Sequence, residues 1–298
     1  MPVDNLKTLS LIIPVYNEVK AIQNTIENLD KLKQNLKNFE FEIIIVNDGS
    51  NDGTEKYLQQ YKKKSENVFI INHRNNRGYG AALKTGINAS KHNYIAITDA
   101  DGTYPNNKIP EFFQIVLEKS CDMIVGARTG KEVKIPLIRK PAKWILNLIA
   151  NHLTGIKIPD INSGFRIMKK NVVKRFFNIL PDGFSFTTTI TLAMLTNGFH
   201  VEYIPINYNA RTGQSKIRPV YDTLNFLQLI IRTSMYFEPL RVFVPLSVML
   251  LCLAFFILIG SYIFFNKIMD VTFGVICMSS IIVLSIGMLA DLIDKRLK

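Results

Sequence analysis

Hydrophobic positions in this chain follow two regimes. Between residues 9 and about 125, short apolar runs at 9–15, 41–46, 68–71 and 94–98 alternate with stretches at 18–36, 54–61 and 80–90. In the first of those stretches Ile22, Ile26, Leu29 and Leu32 recur at helical intervals. Continuous β-branched runs separated by helices predict a buried, mostly parallel sheet in an α/β domain. The second regime is at the other end of the chain. Residues 242–265 form a 24-residue run without a charge, and residues 271–290 a 20-residue run of the same kind. At about 1.5 Å rise per residue, each is long enough to cross a hydrocarbon core of roughly 30 Å.

The flanks of these runs suggest an orientation. Arg232 and Arg241 precede the first, Lys295, Arg296 and Lys298 follow the second, and the short turn between them carries only Lys267. Basic residues collect on the cytoplasmic side, so the pattern predicts two spans with both termini and the α/β domain in the cytoplasm. Two further segments mix a wide apolar face with basic or aromatic residues. Residues 137–154 carry Arg139, Lys140, Lys143 and Trp144, and residues 220–236 carry Leu224, Phe226, Leu227, Ile230 and Tyr236. Each reads either as a helix lying on a membrane or as an ordinary amphipathic helix packed on the domain. The second leads directly into the first span. The expected organisation is a domain over 1–218, a juxtamembrane helix over 219–240, and a two-helix hairpin with a short tail over 241–298.

Composition sharpens this picture. The chain is 298 residues long and 48% hydrophobic, yet it holds 36 Lys and Arg against 24 Asp and Glu, a formal net charge of +12. A disordered chain or an evenly mixed soluble globule does not combine these properties. The excess charge points to a membrane surface, phosphate-bearing ligands or nucleic acid. Nucleic acid fits poorly, because the basic residues accompany the membrane flanks and local motifs and form no single tract. Cys121, Cys252 and Cys277 have no metal or redox spacing, and two of them lie in apolar runs, so they read as packing residues. His73, His92, His152 and His200 are scattered and suggest no role. The opening MPVDNLKTLS lacks the basic-then-apolar pattern of a secretory leader.

Chemistry gathers where the strands end, which is where open α/β sheets bind ligands. Asp99-Ala-Asp-Gly-Thr-Tyr-Pro105 directly follows a strand. Two carboxylates one residue apart, at a turn eased by Gly102, can approach one hard divalent cation that also binds diphosphate oxygens. An isolated D-x-D would read as an acidic turn. This one is preceded by Pro14-Val-Tyr-Asn-Glu18, by Val46-Asn-Asp-Gly-Ser-Asn-Asp-Gly-Thr54, and by Asn76-Arg-Gly-Tyr-Gly-Ala-Ala-Leu-Lys84. Asp48 and Asp52 stand where they can accept hydrogen bonds from a base or ribose. Gly78 and Gly80 open a helix and suit close approach of a nucleotide, with Lys84 among the expected nucleotide-binding residues.

Taken together these motifs resemble the family 2 glycosyltransferases of GT-A fold, and more closely their polyprenyl-phosphate sugar synthases, over about residues 8–240. The resemblance implies that Pro14, Tyr16, Glu18 and Asp48 line the nucleotide pocket and that Asp99 and Asp101 sit at Mg²⁺ or Mn²⁺ and the diphosphate. Some members have Gln two residues after the second aspartate; this chain has Thr103. Downstream, Gly126-Ala-Arg128, Asn162-Ser-Gly-Phe-Arg166 and Arg211-Thr-Gly-Gln-Ser-Lys216 supply a basic side suited to an anionic acceptor. The implied lipid-phosphate set is Arg128, Arg139, Ser163, Arg166, Arg211 and Lys216, and the implied catalytic set is Asp101, Arg128 and Arg166. Arg139, Lys143, Arg218 and Arg232 read equally well as membrane-facing charges.

The implied reaction moves a sugar, with inversion, from a UDP- or GDP-linked donor to a dolichyl or undecaprenyl phosphate. Two other readings compete with it. A sugar-to-sugar transferase or polysaccharide synthase needs a catalytic carboxylate base, and processive ones carry Q-x-x-R-W; here the only tryptophan, Trp144, follows Lys143. A non-catalytic membrane adaptor would have no need of Asp99 and Asp101. The exposed helices and spans also offer surfaces for a homo-oligomer.

Overall fold

The computed structural model describes residues 8–35, 39–62, 67–129, 151, 154–183, 185–208, 235, 238–265 and 269–297. Arg139, Lys143, Arg211, Lys216, Arg218 and Arg232, with nearly all of both expected interfacial segments, lie outside the described residues.

The elements run β1 (Thr8–Val15), α1 (Val19–Asn35), β2 (Glu40–Asn47), α2 (Thr54–Lys62), β3 (Val68–Asn72), α3 (Tyr79–Ala89) and β4 (Tyr94–Ile97). They continue with α4 (Ile109–Lys119), β5 (Met123–Ala127), β6 (Arg166–Lys169), α5 (Lys170–Arg175), α6 (Phe186–Thr196), β7 (Val201–Pro205), α7 (Leu240–Phe265) and α8 (Asp270–Leu297). The strands form a seven-stranded sheet in the order β3-β2-β1-β4-β6-β5-β7. Every neighbouring pair is parallel except those of β6, which runs antiparallel to both β4 and β5.

β1 shows why this sequence makes a central strand. All eight residues are buried, and successive side chains serve opposite faces. Leu11 and Ile13 join one core cluster with Ile22, Phe112 and Phe165, while Ile12 joins the other with Leu83, Ile87 and Ile190. Burying one such side chain contributes about 1.5–3 kcal/mol, so a one-residue slip would expose neither face to water but would mismatch both layers. Helix α6 is buried on all sides, and its threonines stay satisfied: Thr187 Oγ1 donates to Asn162, and Thr189 and Thr191 donate to carbonyls one turn back.

The reversal of β6 places the site. Arg166, its first residue, pairs with Ile97 of β4 and Val125 of β5. The Ser163–Phe165 segment therefore enters at the same sheet edge as Asp99 and Arg128.

Helices α7 and α8 form an antiparallel-connected hairpin of another character. They contain apolar stretches of 25 and 24 residues, with only 11% of each most hydrophobic window buried. Large side chains such as Phe264 (82% exposed) and Val271 (74%) point away from the protein. A core helix would be covered, so this surface suits lipid. The seam is made of small and hydroxylated residues: Ser247 and Ser280 exchange hydroxyl and carbonyl hydrogen bonds, and Gly287 lies where a Cβ would stand 2.4 Å from Phe243 Cβ. The first turn of α7 reaches the α/β domain, where Val242 packs with Ile158, Leu192 and Leu195.

Candidate active site

The loops after β1 and β2 are stitched together. Asn17 adopts a left-handed conformation (φ 53°), which asparagine tolerates better than most residues. Its N–H donates to Ser50 Oγ at 2.9 Å and its Oδ1 accepts from Asn51 N at 2.8 Å. Glu18 N–H donates to Thr54 Oγ1 at 3.2 Å. Tyr16 and Glu18, expected at the nucleotide, thus sit on a braced turn just beyond β1, with Pro14 paired to Val46 inside the sheet. Asp52 departs from expectation. Its Oδ2 accepts from Val19 N at 3.1 Å and its Oδ1 from Thr54 N and Oγ1 at 3.0 and 2.5 Å. Both oxygens are spent on the starts of α1 and α2, where backbone N–H groups need acceptors, rather than offered to a base or ribose.

Asp48 is buried at the end of β2. Its Oδ1 accepts from Arg77 N at 3.0 Å and its Oδ2 from Gly78 N at 2.8 Å, so it anchors the turn before α3. Gly49 (φ +71°) permits the adjoining contact, since a Cβ there would stand 2.6 Å from the backbone of Asn75 and Asn76. Gly78 and Gly80 were expected to admit a nucleotide. They instead admit protein: a Cβ would meet the Asp182 carbonyl at 2.5 Å and the Pro181 carbonyl at 2.1 Å, and Ala81 N donates to the Asp182 carbonyl. Lys84 pairs with Asp182 at 2.8 Å on the outer side of the same loop.

Asp99 and Asp101 lie on the turn after β4. Thr25 Oγ1 donates to the Ala100 carbonyl at 2.7 Å, which ties the turn to α1. Asp101 is buried, and its Oδ1 accepts from Thr103 N and Oγ1 at 3.1 and 2.6 Å. Thr103 therefore orients Asp101. Tyr79 Oη donates to Asp99 Oδ1 at 3.1 Å. Burial pushes the Tyr79 hydroxyl well above the ordinary phenol range, with Asp99 adding to the effect, so it stays a donor near neutrality. Gly164 fits against this pair; a Cβ there would stand 3.0 and 3.1 Å from the Asp99 oxygens and 3.2 Å from Tyr79 Oη. Gly164 N donates to Tyr104 Oη at 2.7 Å. Among the described residues, no group of three or more His, Cys, Asp or Glu gathers around one point. Two carboxylates of hard oxygen are nonetheless the donor set that Mg²⁺ or Mn²⁺ accepts when phosphate and water complete its shell.

The basic side is more committed than its sequence implies. Arg128 binds Asp160 bidentately, with Nε to Oδ2 at 2.7 Å and Nη2 to Oδ1 at 3.0 Å, and its own N–H also donates to Oδ2 at 3.0 Å. Asp160 is 2% exposed and Arg128 24%, so the guanidinium keeps an outer edge toward solvent. Tyr208 lies beneath it at 5.4 Å. Arg166 is more deeply placed. It is 1% exposed, its Nε and Nη2 donate to the Ser163 carbonyl, and its Nη1 donates to the Thr187 carbonyl and Thr191 Oγ1 at 3.2 and 3.1 Å. Burial lowers its pKa. Every nitrogen is engaged inside the domain, and Arg166 holds the Ser163 turn. Ser163 is buried too, and its hydroxyl donates to the Gly126 carbonyl at 2.6 Å.

Asp160, Tyr79 and His73 are contributors that sequence reasoning missed. Asp160 is 32 residues from Arg128, and no local spacing links them. His73 Nδ1 lies 2.6 Å from Asp48 Oδ1; its position just past a strand was the available signal.

Comparison with known proteins agrees with this geometry. Residues 10–177 match the model of Glycosyl transferase family 2, from β1 past the end of α5. The chain is 26% identical over 247 residues to a dolichyl-phosphate beta-glucosyltransferase of Dictyostelium discoideum, covering 78% of this chain and 75% of the relative. It is 25% identical over 215 residues to an undecaprenyl-phosphate mannosyltransferase of Micrococcus luteus, covering 69% and 86%. Among solved structures, glucosyl-3-phosphoglycerate synthase from Mycobacterium tuberculosis, crystallised with Mn²⁺, UDP and phosphoglyceric acid, superposes with a TM-score of 0.57 at 16% identity, over 76% of this chain and 78% of that one. The matched segment contains every strand-end loop of the donor side together with the Arg128 and Arg166 segments, and on that ground the chain belongs to Glycosyl transferase family 2.

Proposed function

We propose that this protein transfers a sugar, with inversion at the anomeric carbon, from a nucleoside-diphosphate sugar to a polyprenyl phosphate at a cytoplasmic membrane face. One observation carries the reading. The first turn of the apolar hairpin packs through Val242 onto Ile158, two residues from the Asp160 that pairs with Arg128. A cationic side chain at the sheet's carboxyl edge is thereby placed beside the entry to a hydrocarbon phase. The relatives support it from another direction. One is named for glucose and dolichol, the other for mannose and undecaprenol; what they share is a polyprenyl phosphate acceptor.

The residues divide the work. The braced turns at Tyr16–Glu18 and Asp48–Asn51 form the wall for the nucleotide. Asp99 and Asp101 would hold Mg²⁺ or Mn²⁺, which supplies charge neutralisation to the departing diphosphate. A phosphate monoester has its second pKa near about 6 and arrives anionic, so no side chain needs to remove a proton from the nucleophile. The protein's task is alignment and charge balance. Arg128 offers its outer edge to the lipid phosphate, and Arg139, Arg211 and Lys216 are the further cations assigned to it. Arg166 acts at one remove, through the Ser163–Gly164 turn that borders Asp99. Basic flanks at Arg232, Arg241, Lys295 and Arg296 support a cytoplasmic side for both termini.

The test is a donor screen. Full-length protein in detergent is given Mn²⁺, a polyprenyl phosphate and labelled UDP- or GDP-sugars. An organic-extractable, mild-acid-labile product with one donor is the expected result. A water-soluble or polymeric product would point to a sugar acceptor and overturn the lipid assignment.

A further inference from the structure

We infer that His73 is a positioning residue of the donor site, acting through Asp48. This rests on the donor-site reading above. Asp48 already accepts from two backbone N–H groups, Arg77 and Gly78. Each oxygen of the carboxyl group thus already faces an N–H donor. With both oxygens already accepting, we assign His73 Nδ1, at 2.6 Å, as a third donor to the same carboxylate. The other nitrogen, Nε2, lies 2.9 Å from Thr85 Oγ1 in α3. The His73 side chain is 6% exposed and that of Asp48 4%.

The ring thus joins three elements. His73 N–H donates to the Asn47 carbonyl at the end of β2, the ring holds Asp48, and Thr85 fixes the far side of the ring. Two amides alone can be served by a carboxylate in more than one rotation. A third donor from the side removes that freedom, and with it the freedom of the turn at Arg77–Gly78, whose preceding residues Asn75 and Asn76 pack on Gly49. The expected consequence is a donor wall set before the nucleotide arrives, which lowers the ordering cost of binding.

The two ring nitrogens allow a clean test. Asparagine carries its amide N–H near the place of Nδ1, and glutamine near that of Nε2. Binding of UDP and GDP with Mn²⁺ is measured by calorimetry on full-length wild type, H73N, H73Q and H73A, alongside melting curves and steady-state rates. For the nucleotide that wild type binds, H73A and H73Q weaken affinity about tenfold, the scale of one lost hydrogen bond to a charged group. H73N stays within about twofold, and kcat at saturating donor changes little in all three. Equal affinity of H73Q and wild type would overturn the role of His73 alone. A uniform loss in H73N, H73Q and H73A tracking their melting temperatures would also overturn it, since that is the behaviour of a merely structural residue. Failure of wild type to bind either nucleotide would instead overturn the donor-site reading, and the proposal with it.

Discussion

The two sides of the cleft spend their polar groups differently. On the donor side, before β5, strand-end turns are braced by side chains onto backbone amides: Asn17 to Asn51, Asp48 to Arg77 and Gly78, Asp101 to Thr103. The first two braces join loops far apart in sequence, and the third seats buried Asp101 within its own turn. On the acceptor side, after β5, the two arginines of the matched motifs are tied to the domain. Arg128 is shared with buried Asp160, and Arg166 is wholly internal. A buried guanidinium is costly unless every donor is met, so this side gains a fixed shape at the expense of free positive charge.

Each half of this contrast can be broken. The largest effect is expected at Asp101→Ala, where sugar transfer falls about 1,000-fold, several kcal/mol of lost charge stabilisation, while circular dichroism is unchanged. Transfer at wild-type rate with metal present would remove Asp101 from the chemistry. Arg166→Ala comes next and acts on stability. It strands the Ser163 and Thr187 carbonyls, and the melting curve in detergent should report a loss of about 3 kcal/mol or more. A stable variant defective only in acceptor KM would return Arg166 to the lipid phosphate. A double-mutant cycle of Arg128→Ala and Asp160→Asn, read in acceptor KM, should show a coupling of about 1–3 kcal/mol; additivity would mean that the pair does not set the phosphate contact. Gly164→Ala should slow kcat about tenfold with little change in melting, because the added methyl displaces Asp99 from its seat and small misplacements of reacting groups are costly. The smallest effect belongs to Lys84→Ala. Its partner Asp182 is largely exposed, and such pairs contribute about 1 kcal/mol or less. A large rise in donor KM would place Lys84 at the nucleotide and blur the contrast.

The same difference explains what could be read in advance. The first four strands and three helices were legible to within a few residues, because β1 and β2 are long apolar runs and α1 has clean spacing. The donor motifs were legible as places, since each stands just after a strand. Their detailed uses were less so. Asp52 looked like a ligand group, but its partners Val19 and Thr54 are found only when two loops meet. Gly78 and Gly80 suggested close approach of a nucleotide, and nothing local announced the 181–183 loop that packs on them. The acceptor side resisted more. β6 is four residues of RIMK, too short to signal a reversed strand. Arg166 read as a phosphate ligand because a buried arginine and an exposed one look alike in sequence. The partnership of Arg128 with Asp160 spans a stretch that no periodicity connects.

The packing of Val242 on Ile158 has a consequence for how the substrates meet. With the hairpin in a bilayer, that contact holds the catalytic edge at one height above the hydrocarbon, much as a fixed stage holds a sample. An acceptor whose phosphate rides at the headgroup level then finds the edge by sliding in two dimensions, at a local concentration set by the membrane rather than by the cell volume. The nucleotide sugar arrives from water. The enzyme stands at a phase boundary, with each partner delivered from its own side, and lengthening the join between α7 and the domain should cost acceptor encounter while leaving donor encounter untouched.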